Sequence, residues 1–179
     1  MKHWPFSICA GVVLASAGCD PKPAAAPAPK HPTTNGMPVK YHLDQAQPKL
    51  QTMKLWVGSK ELDAEIAASI TEIATGMMFR TNMLDSEAML FVFATPDRRE
   101  FYMKNCVVAL SAGYIDANGI LDEIVELQPG ELKPVPSRSD KIKYVLEVPQ
   151  GWFKRHNIAV GATIMTDKGP LKQFSGLLQ

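Results

Sequence analysis

The sequence predicts a mainly β fold: a compact single-domain β sandwich or barrel with one or two short helices. Three observations predict it. Short runs of β-branched, aromatic and aliphatic residues recur along the chain, each closed by a Gly, Pro, Asn or Asp turn signal. Asn118-Gly119 lies between two such runs, the strongest two-residue hairpin signal a sequence offers. Helix signals are few and short, as expected of helical additions to a β core.

The elements follow in order. "TMKLWV" (52–57) alternates and reads as a strand. In "SITE", Ser69 followed three residues later by Glu72 is a capping box, opening a short helix that ends near Gly76. "AMLFVFA" (88–94) is a continuous apolar run ended by Thr-Pro-Asp, as in a buried strand. "FYMKNCVVAL" (101–110) continues the apolar pattern, but Lys104, Asn105 and Cys106 interrupt it where a strand would bury Leu or Val. "VALSAGYIDANGILDEIVEL" divides at Asn118-Gly119 into two hairpin strands. "KYVLEV" (143–148) is a further strand stopped by Pro149, "GWFKRHN" forms one helical turn, and "GATIMTD" is the last strand. No internal repeat is present.

The 179 residues exceed what this domain needs, and the N-terminus accounts for the excess. "MKHWPFSICAGVVLASAGCD" carries a Lys near its start, an apolar run from Phe6 to Ala15, and then Ser16-Ala17-Gly18-Cys19. The run is too short to span a bilayer, which needs about 20 residues. It has the proportions of a secretory signal with a small-residue cleavage site. The Cys after Ala-Gly is similar to a bacterial lipoprotein signal, which implies cleavage before Cys19 and its lipidation; Ser16 departs from the usual Leu. Residues 1–18 are therefore expected to be a signal peptide. Residues 19–48 form a tether, with seven of the fourteen prolines between 20 and 48. At about 3.1 Å per residue it would reach on the order of 90 Å. The globular domain is expected at 49–179, and a core of that size needs neither disulfide nor metal.

Charge and cysteine use exclude several classes. From Lys49 onward fifteen basic residues face sixteen acidic ones, a net of −1, with no basic stripe. Nucleic-acid binding is not expected. Of three cysteines, only Cys106 remains in the exported domain, so no intrachain disulfide forms there. With Val107 and Val108 beside it, Cys106 reads as a small buried hydrophobe rather than a reactive nucleophile.

Five segments in order carry a family resemblance: "TGMMFRTNML" (75–84), "AMLFVF" (88–93), "FYMKNC" (101–106), "YIDANGIL" (114–121) and "YVLEVPQGW" (144–152). Together they resemble the domain of unknown function 192 family of small bacterial and archaeal proteins. The resemblance implies a compact, mainly β domain, often exported or lipid-anchored, with no established activity. The chain departs from the family pattern at Met77 for Leu, Tyr102 for Trp, Cys106 for Thr and Ala109 for Pro, and Ala112-Gly113 replace bulkier residues. Thr to Cys argues against a family-wide nucleophile at 106.

Lys104 and Asn105 lie in one of these segments, Arg80 in another and Asp116 in a third. If the segments meet, Arg80 and Lys104 would place two cations beside the Asn105 amide, suiting a carboxylate or phosphate. Arg80, Lys104, Asn105 and Asp116 are thus the candidate ligand-binding residues. The same residues also suit structure: long stems laid over apolar neighbours, Asn105 in a turn, and Arg80 paired with Asp85, Glu87 or Asp116. The chain lacks a Gly-x-Ser-x-Gly elbow, P-loop or Gly-x-Gly-x-x-Gly motif, and His156 is the domain's lone histidine, so a zinc site is not expected. The thioethers of Met77, Met78, Met83, Met89 and Met103 are of the soft kind that selects copper(I), but core packing is the simpler account.

The expected function is a non-enzymatic envelope module, held to a membrane through lipidated Cys19 and binding a small anionic ligand or an envelope protein. It needs no cofactor, and its domain faces the periplasm or the exterior. The alternative is a hydrolase or transferase acting on envelope material, with Glu147 or Asp116 as general acid or base.

Overall fold

The computed structural model describes residues 40–173, together with backbone at 33–34 and 37–38. The expected signal segment and Cys19 lie outside the described residues. Two compact units divide the chain, Met1–Val39 and Lys40–Gln179. In the first, β1 (Thr33–Thr34) pairs antiparallel with β2 (Met37–Pro38). Residues 40–48, assigned to the tether by composition, include Gln47, which is buried and donates through Nε2 to the Gly76 carbonyl at 2.8 Å. No helix among the described residues is long and apolar enough to cross a membrane.

The fold is mainly β, as the turn-punctuated sequence predicts. Its elements in chain order are β3 (Thr52–Val57), β4 (Lys60–Ala67), α1 (Ile70–Thr75), β5 (Glu87–Asp97), β6 (Glu100–Phe101), β7 (Leu110–Asp116) and β8 (Leu121–Leu127). They continue with β9 (Val135–Pro136), β10 (Ile142–Pro149), α2 (Trp152–Arg155), β11 (Ile164–Thr166), β12 (Gly169–Pro170) and a 3-10 turn at Leu171–Gln173. Eight strands form one sheet in the order β12-β11-β3-β4-β5-β10-β7-β8, antiparallel except for β4 beside β5. That parallel pair requires a crossover, and α1 with the chain to Ser86 supplies it. The sheet curls until the start of β8 meets the chain leading into β11. Ile120 bridges Thr163, and Leu121 N–H donates to the Ala162 carbonyl at 2.9 Å, giving a half-barrel.

Strand alternation distributes the core over both faces of the sheet. β5 sends Leu90 and Val92 into the curl with Leu55, Leu146, Trp152 and Phe153. It sends Met89 and Phe91 to the opposite face with Met77, Met78, Met103 and Tyr114. Burial on both sides explains why "AMLFVFA" is continuously apolar. Gly113 is dictated by the inner cluster: a Cβ there would lie 2.8 Å from the Phe153 ring and 2.7 Å from Leu121. The outer cluster is covered by α1 with the turn after it, and by the small β6–β9 ribbon.

The capping box forms as predicted: Ser69 Oγ accepts from Glu72 N–H at 3.3 Å, and Glu72 Oε2 accepts from Ser69 N–H at 2.9 Å. The β7–β8 hairpin also forms, but with a longer turn than Asn118-Gly119 alone suggests. Asp116 to Gly119 make a turn closed by Gly119 N–H to the Asp116 carbonyl, and Gly119 at φ +80 forms the bulge. The Asp116 carboxylate competes successfully for the loop, because its Oδ1 accepts from both Asn118 N–H and Ile120 N–H at 2.9 Å. "MKNC" is a turn rather than a strand, with Asn105 in the left-handed region at φ 57.

Candidate functional site

The four candidate residues do not form one site. The Arg80 guanidinium is bidentate on Glu65, with Nη1 to Oε1 at 2.6 Å and Nη2 to Oε2 at 2.8 Å, both side chains mostly buried. Glu65 also accepts from Leu50 N–H at 2.7 Å, so this ion pair pins the strap before β3 to β4 and to the crossover. Lys104 is exposed, its Nζ 3.4 Å from His42 Nε2. Asn105 holds the turn, its carbonyl accepting from Phe79 N–H at 2.8 Å. Its side chain reaches only the Met78 sulfur, at 4.0 Å. Asp116 is occupied with the hairpin turn. The segments of Arg80 and Asn105 do meet, but through backbone.

Where those segments meet, they wall a cavity of about 360 Å³ that opens to solvent. Its floor is the outer face of the sheet, with Phe91 and Phe93 from β5 and Glu147 from β10. One wall is the end of α1 and the turn after it, Ile73 to Met78. The other is Arg98 to Tyr102 leading through the β6–β9 ribbon, with Cys106 from the next turn. Gly76 is required here: its φ is +47, and a Cβ would stand 3.2 Å from the Phe91 ring. The lining is mostly hydrocarbon, aromatic and thioether.

Glu147 is the exception. It lies on the strand between β5 and β7, opposite Met89 and Ala112, and is 4% exposed. Its Oε2 is buried without a hydrogen-bond partner among the described residues. Apolar burial pushes its carboxyl up to about 8, so at neutral pH it is mainly the uncharged acid. The same burial, reinforced by Glu147, pushes the Cys106 thiol up to about 12. Tyr114, beneath the same cluster, is raised by burial and by Glu123, Glu147 and Glu100, and its hydroxyl donates to the Val135 carbonyl at 2.6 Å. Cys106 is thus a thiol at neutral pH, poorly suited to nucleophilic attack. Glu147 offers one O–H donor and one acceptor to whatever enters.

At the cavity's rim stand two arginines. The Arg99 guanidinium lies 4.0 Å over the Phe93 ring, bonds through Nη2 to the Thr95 carbonyl, and is lowered in pKa by burial. Arg98 is exposed and reaches the Arg138 carbonyl at 3.1 Å. Sequence reasoning misses this pair, although the doublet stands in plain view directly after a strand and its Thr-Pro-Asp stop. It yields Glu147 only as an acid–base candidate. The stronger signal is register: Val145 and Glu147 share a face, and that face is otherwise apolar.

Met77, Met78 and Cys106 line the cavity, while Met89 and Met103 are buried behind it. Among the described residues no group of three or more His, Cys, Asp or Glu is placed to hold a metal. The other titratable cluster is superficial: Asp85 takes Arg155 on Oδ1 and His156 on Oδ2, both at 2.7 Å. Arg155 first and His156 second hold Asp85 below its ordinary value. His156 is thereby engaged on the surface, where its ring also packs against Trp152.

The fold and cavity define a small curled-sheet β domain with a pocket on its convex side, walled by a crossover turn and a two-stranded ribbon. The chain belongs to the DUF192 family, described as "Uncharacterized ACR", whose model matches residues 53–166. That span contains all five resembling segments. Two crystal structures are similar. A candidate transcription regulator from Sinorhizobium meliloti 1021 superposes with a TM-score of 0.64 at 24% identity, covering 68% of this chain and 98% of its own. A protein of unknown function from Novosphingobium aromaticivorans DSM 12444 superposes with a TM-score of 0.61 at 29% identity, covering 64% of this chain and 85% of its own. The first likeness shows the fold alone. A search of curated proteins gives no match.

Proposed function

We propose that this protein is a lipid-anchored envelope module that binds a small ligand, without transforming it, in the cavity at Glu147. The observation that carries the reading is the Glu147 carboxyl, buried and unpartnered at the floor of an otherwise apolar pocket. Such a group weakens the fold, since a buried polar atom without a partner costs about 1–3 kcal/mol. Sites that retain such a cost are characteristically functional. The arginines at the rim support an anionic or polar-headed ligand. Cys106, held as a thiol, leaves the cavity without a ready nucleophile, which supports binding over turnover.

The address rests on Ser16-Ala17-Gly18-Cys19 and the Pro/Ala stretch behind it. Cys19→Ala is expected to move the protein from the membrane to the soluble fraction; unchanged fractionation would contradict the anchor. For the ligand, thermal shifts of the full-length chain against small acids, amides, alcohols and phosphates are compared with those of Ala74→Phe, which fills the cavity from α1. A ligand at a hundred times its Kd adds about 2.7 kcal/mol. The wild type is expected to shift and the filled variant not to; equal shifts in both would place binding elsewhere.

A further inference from the structure

The charges around the cavity restrict what its ligand can be. Resting on the reading above, we propose that the ligand is an uncharged molecule with a hydrocarbon body and a carbonyl oxygen, a ketone or ester, which accepts the Glu147 O–H at the cavity floor. The body then lies among Phe91, Met77 and Met78.

Among the described residues that line the cavity, Glu147 alone offers a buried, unpartnered oxygen. The Thr75 hydroxyl is buried but accepts from Leu43 N–H at 3.1 Å. Tyr102 is exposed, and the Cys106 thiol is a weak donor. Burial keeps the Glu147 carboxyl protonated at neutral pH, so the cavity floor presents an O–H. That O–H is the stronger hydrogen-bonding end of a carboxylic acid, and it is answered by an acceptor on the ligand.

No cation stands against Glu147. Burial is the sole cause of its raised pKa, with no positive group drawing it down. Across the sheet it stands opposite Met89 of β5 and Ala112 of β7. The groups that register its charge are the Cys106 thiol and the Tyr114 phenol, both kept uncharged at neutral pH by burial. The α1 side, Ile73 to Met78, lines the cavity without a titratable group. Arg98 and Glu100 are exposed at the rim. Arg99 is anchored on the Ile142 and Thr95 carbonyls and on the Phe93 ring. Ile142 begins β10 and Glu147 lies near its end. At about 3.3 Å per residue, that separation is on the order of 15 Å.

Charged heads therefore fit poorly. A carboxylate or phosphate at Glu147 would be buried among rings and thioethers with no cation beside it, which is costly. An ammonium would need Glu147 ionised, and would enter past two arginines against one glutamate. A neutral carbonyl carries neither cost and takes up the unpartnered O–H. Proton linkage follows. An ionised Glu147 has no proton to donate and repels the carbonyl oxygen, so affinity falls as pH passes about 8.

The test is calorimetric titration of the full-length chain with octan-2-one, octanoate, octylammonium and octyl phosphate, from about pH 6 to about pH 9.5. Wild type is compared with Glu147→Gln, which keeps a donor that cannot ionise, and with Glu147→Met, which keeps the bulk and has no donor. At neutral pH the wild type is expected to bind octan-2-one at least about tenfold more tightly than any charged probe. Its affinity should hold to about pH 8 and fall beyond. Glu147→Gln is expected to bind octan-2-one with a flat profile, and Glu147→Met to bind it about tenfold more weakly than wild type at neutral pH. If a charged probe binds as well as octan-2-one, if Glu147→Met binds it as tightly as wild type, or if the wild-type profile is flat, the carbonyl assignment is overturned while ligand binding stands. If none of the four binds, both readings fall.

Discussion

Phe79 donates its backbone N–H to the Asn105 carbonyl at 2.8 Å, and both residues lie in the left-handed region, at φ 64 and φ 57. Two non-glycine residues in that conformation, joined by one bond, bring the "GMMFR" and "FYMKNC" segments together. The consequence is spatial: Met77 and Met78 on one side and Cys106 on the other become walls of the Glu147 cavity. The segments that carry the family resemblance thus serve chiefly as its frame. Lys104 and the Asn105 side chain, conspicuous in the sequence, face outward from that frame.

Asn105 tests this directly. A left-handed conformation costs a residue with an ordinary side chain about 1–2 kcal/mol, whereas glycine adopts it freely. Asn105→Ala is expected to lower the melting temperature and Asn105→Gly to leave it unchanged or raise it. The reverse ranking would mean that the Asn105 amide itself matters.

Arg80 belongs to the strap. Its removal leaves Glu65 mostly buried with its charge unmatched, a loss of about 3–5 kcal/mol. Arg80→Lys should recover only part, since one ammonium cannot reproduce the bidentate pair. Chemical denaturation measures both. An Arg80→Ala protein of wild-type stability would refute the structural role.

Asp116 is expected to act on the hairpin alone. Asp116→Ala loses the carboxylate that accepts from two backbone N–H groups, and about 1 kcal/mol, while affinity for a ligand in the cavity is unchanged. A titration of the variant that showed weakened binding at unchanged stability would restore Asp116 to the site.

Glu147 makes stability depend on pH in a distinctive direction. Its carboxyl is raised in the folded state from an ordinary 4.5 to about 8, so the fold holds the proton more tightly than the unfolded chain. That contribution is complete below the ordinary value and is lost as pH climbs to about 8. Over the window the wild type should lose stability relative to Glu147→Gln by at most about 1.4 kcal/mol per pH unit. Parallel stability curves for the two proteins would show that Glu147 does not titrate in this way.

Local signals encode much of this fold. The capping box at Ser69, the strands at 52–57 and 143–148, the hairpin at Asn118-Gly119 and the turn of helix at Trp152 all rest on neighbours within a few residues. β4 escapes because Lys60, Glu61, Asp63 and Glu65 disguise its alternation of Leu62, Ala64 and Ile66. Its outward charges are answered across the pair by Lys54, at 2.6 Å from Glu61 and 2.9 Å from Asp63. Arg80 is legible as a charge needing a partner. That the partner is Glu65 depends on the β4–β5 crossover, which no local pattern encodes. The cavity is illegible for the same reason, being assembled from a turn, a ribbon and two strands far apart in sequence. Only Glu147, a carboxyl in the register of a buried face, signals it beforehand.

The most direct test of Glu147 as the buried acid at the centre of the cavity is carbon-13 NMR of the full-length chain labelled at glutamate side-chain carboxyls, titrated with pH. One glutamate is expected to titrate near 8 and to vanish in Glu147→Gln. If every glutamate titrates in the ordinary carboxyl range, Glu147 is not the buried acid on which the binding site rests.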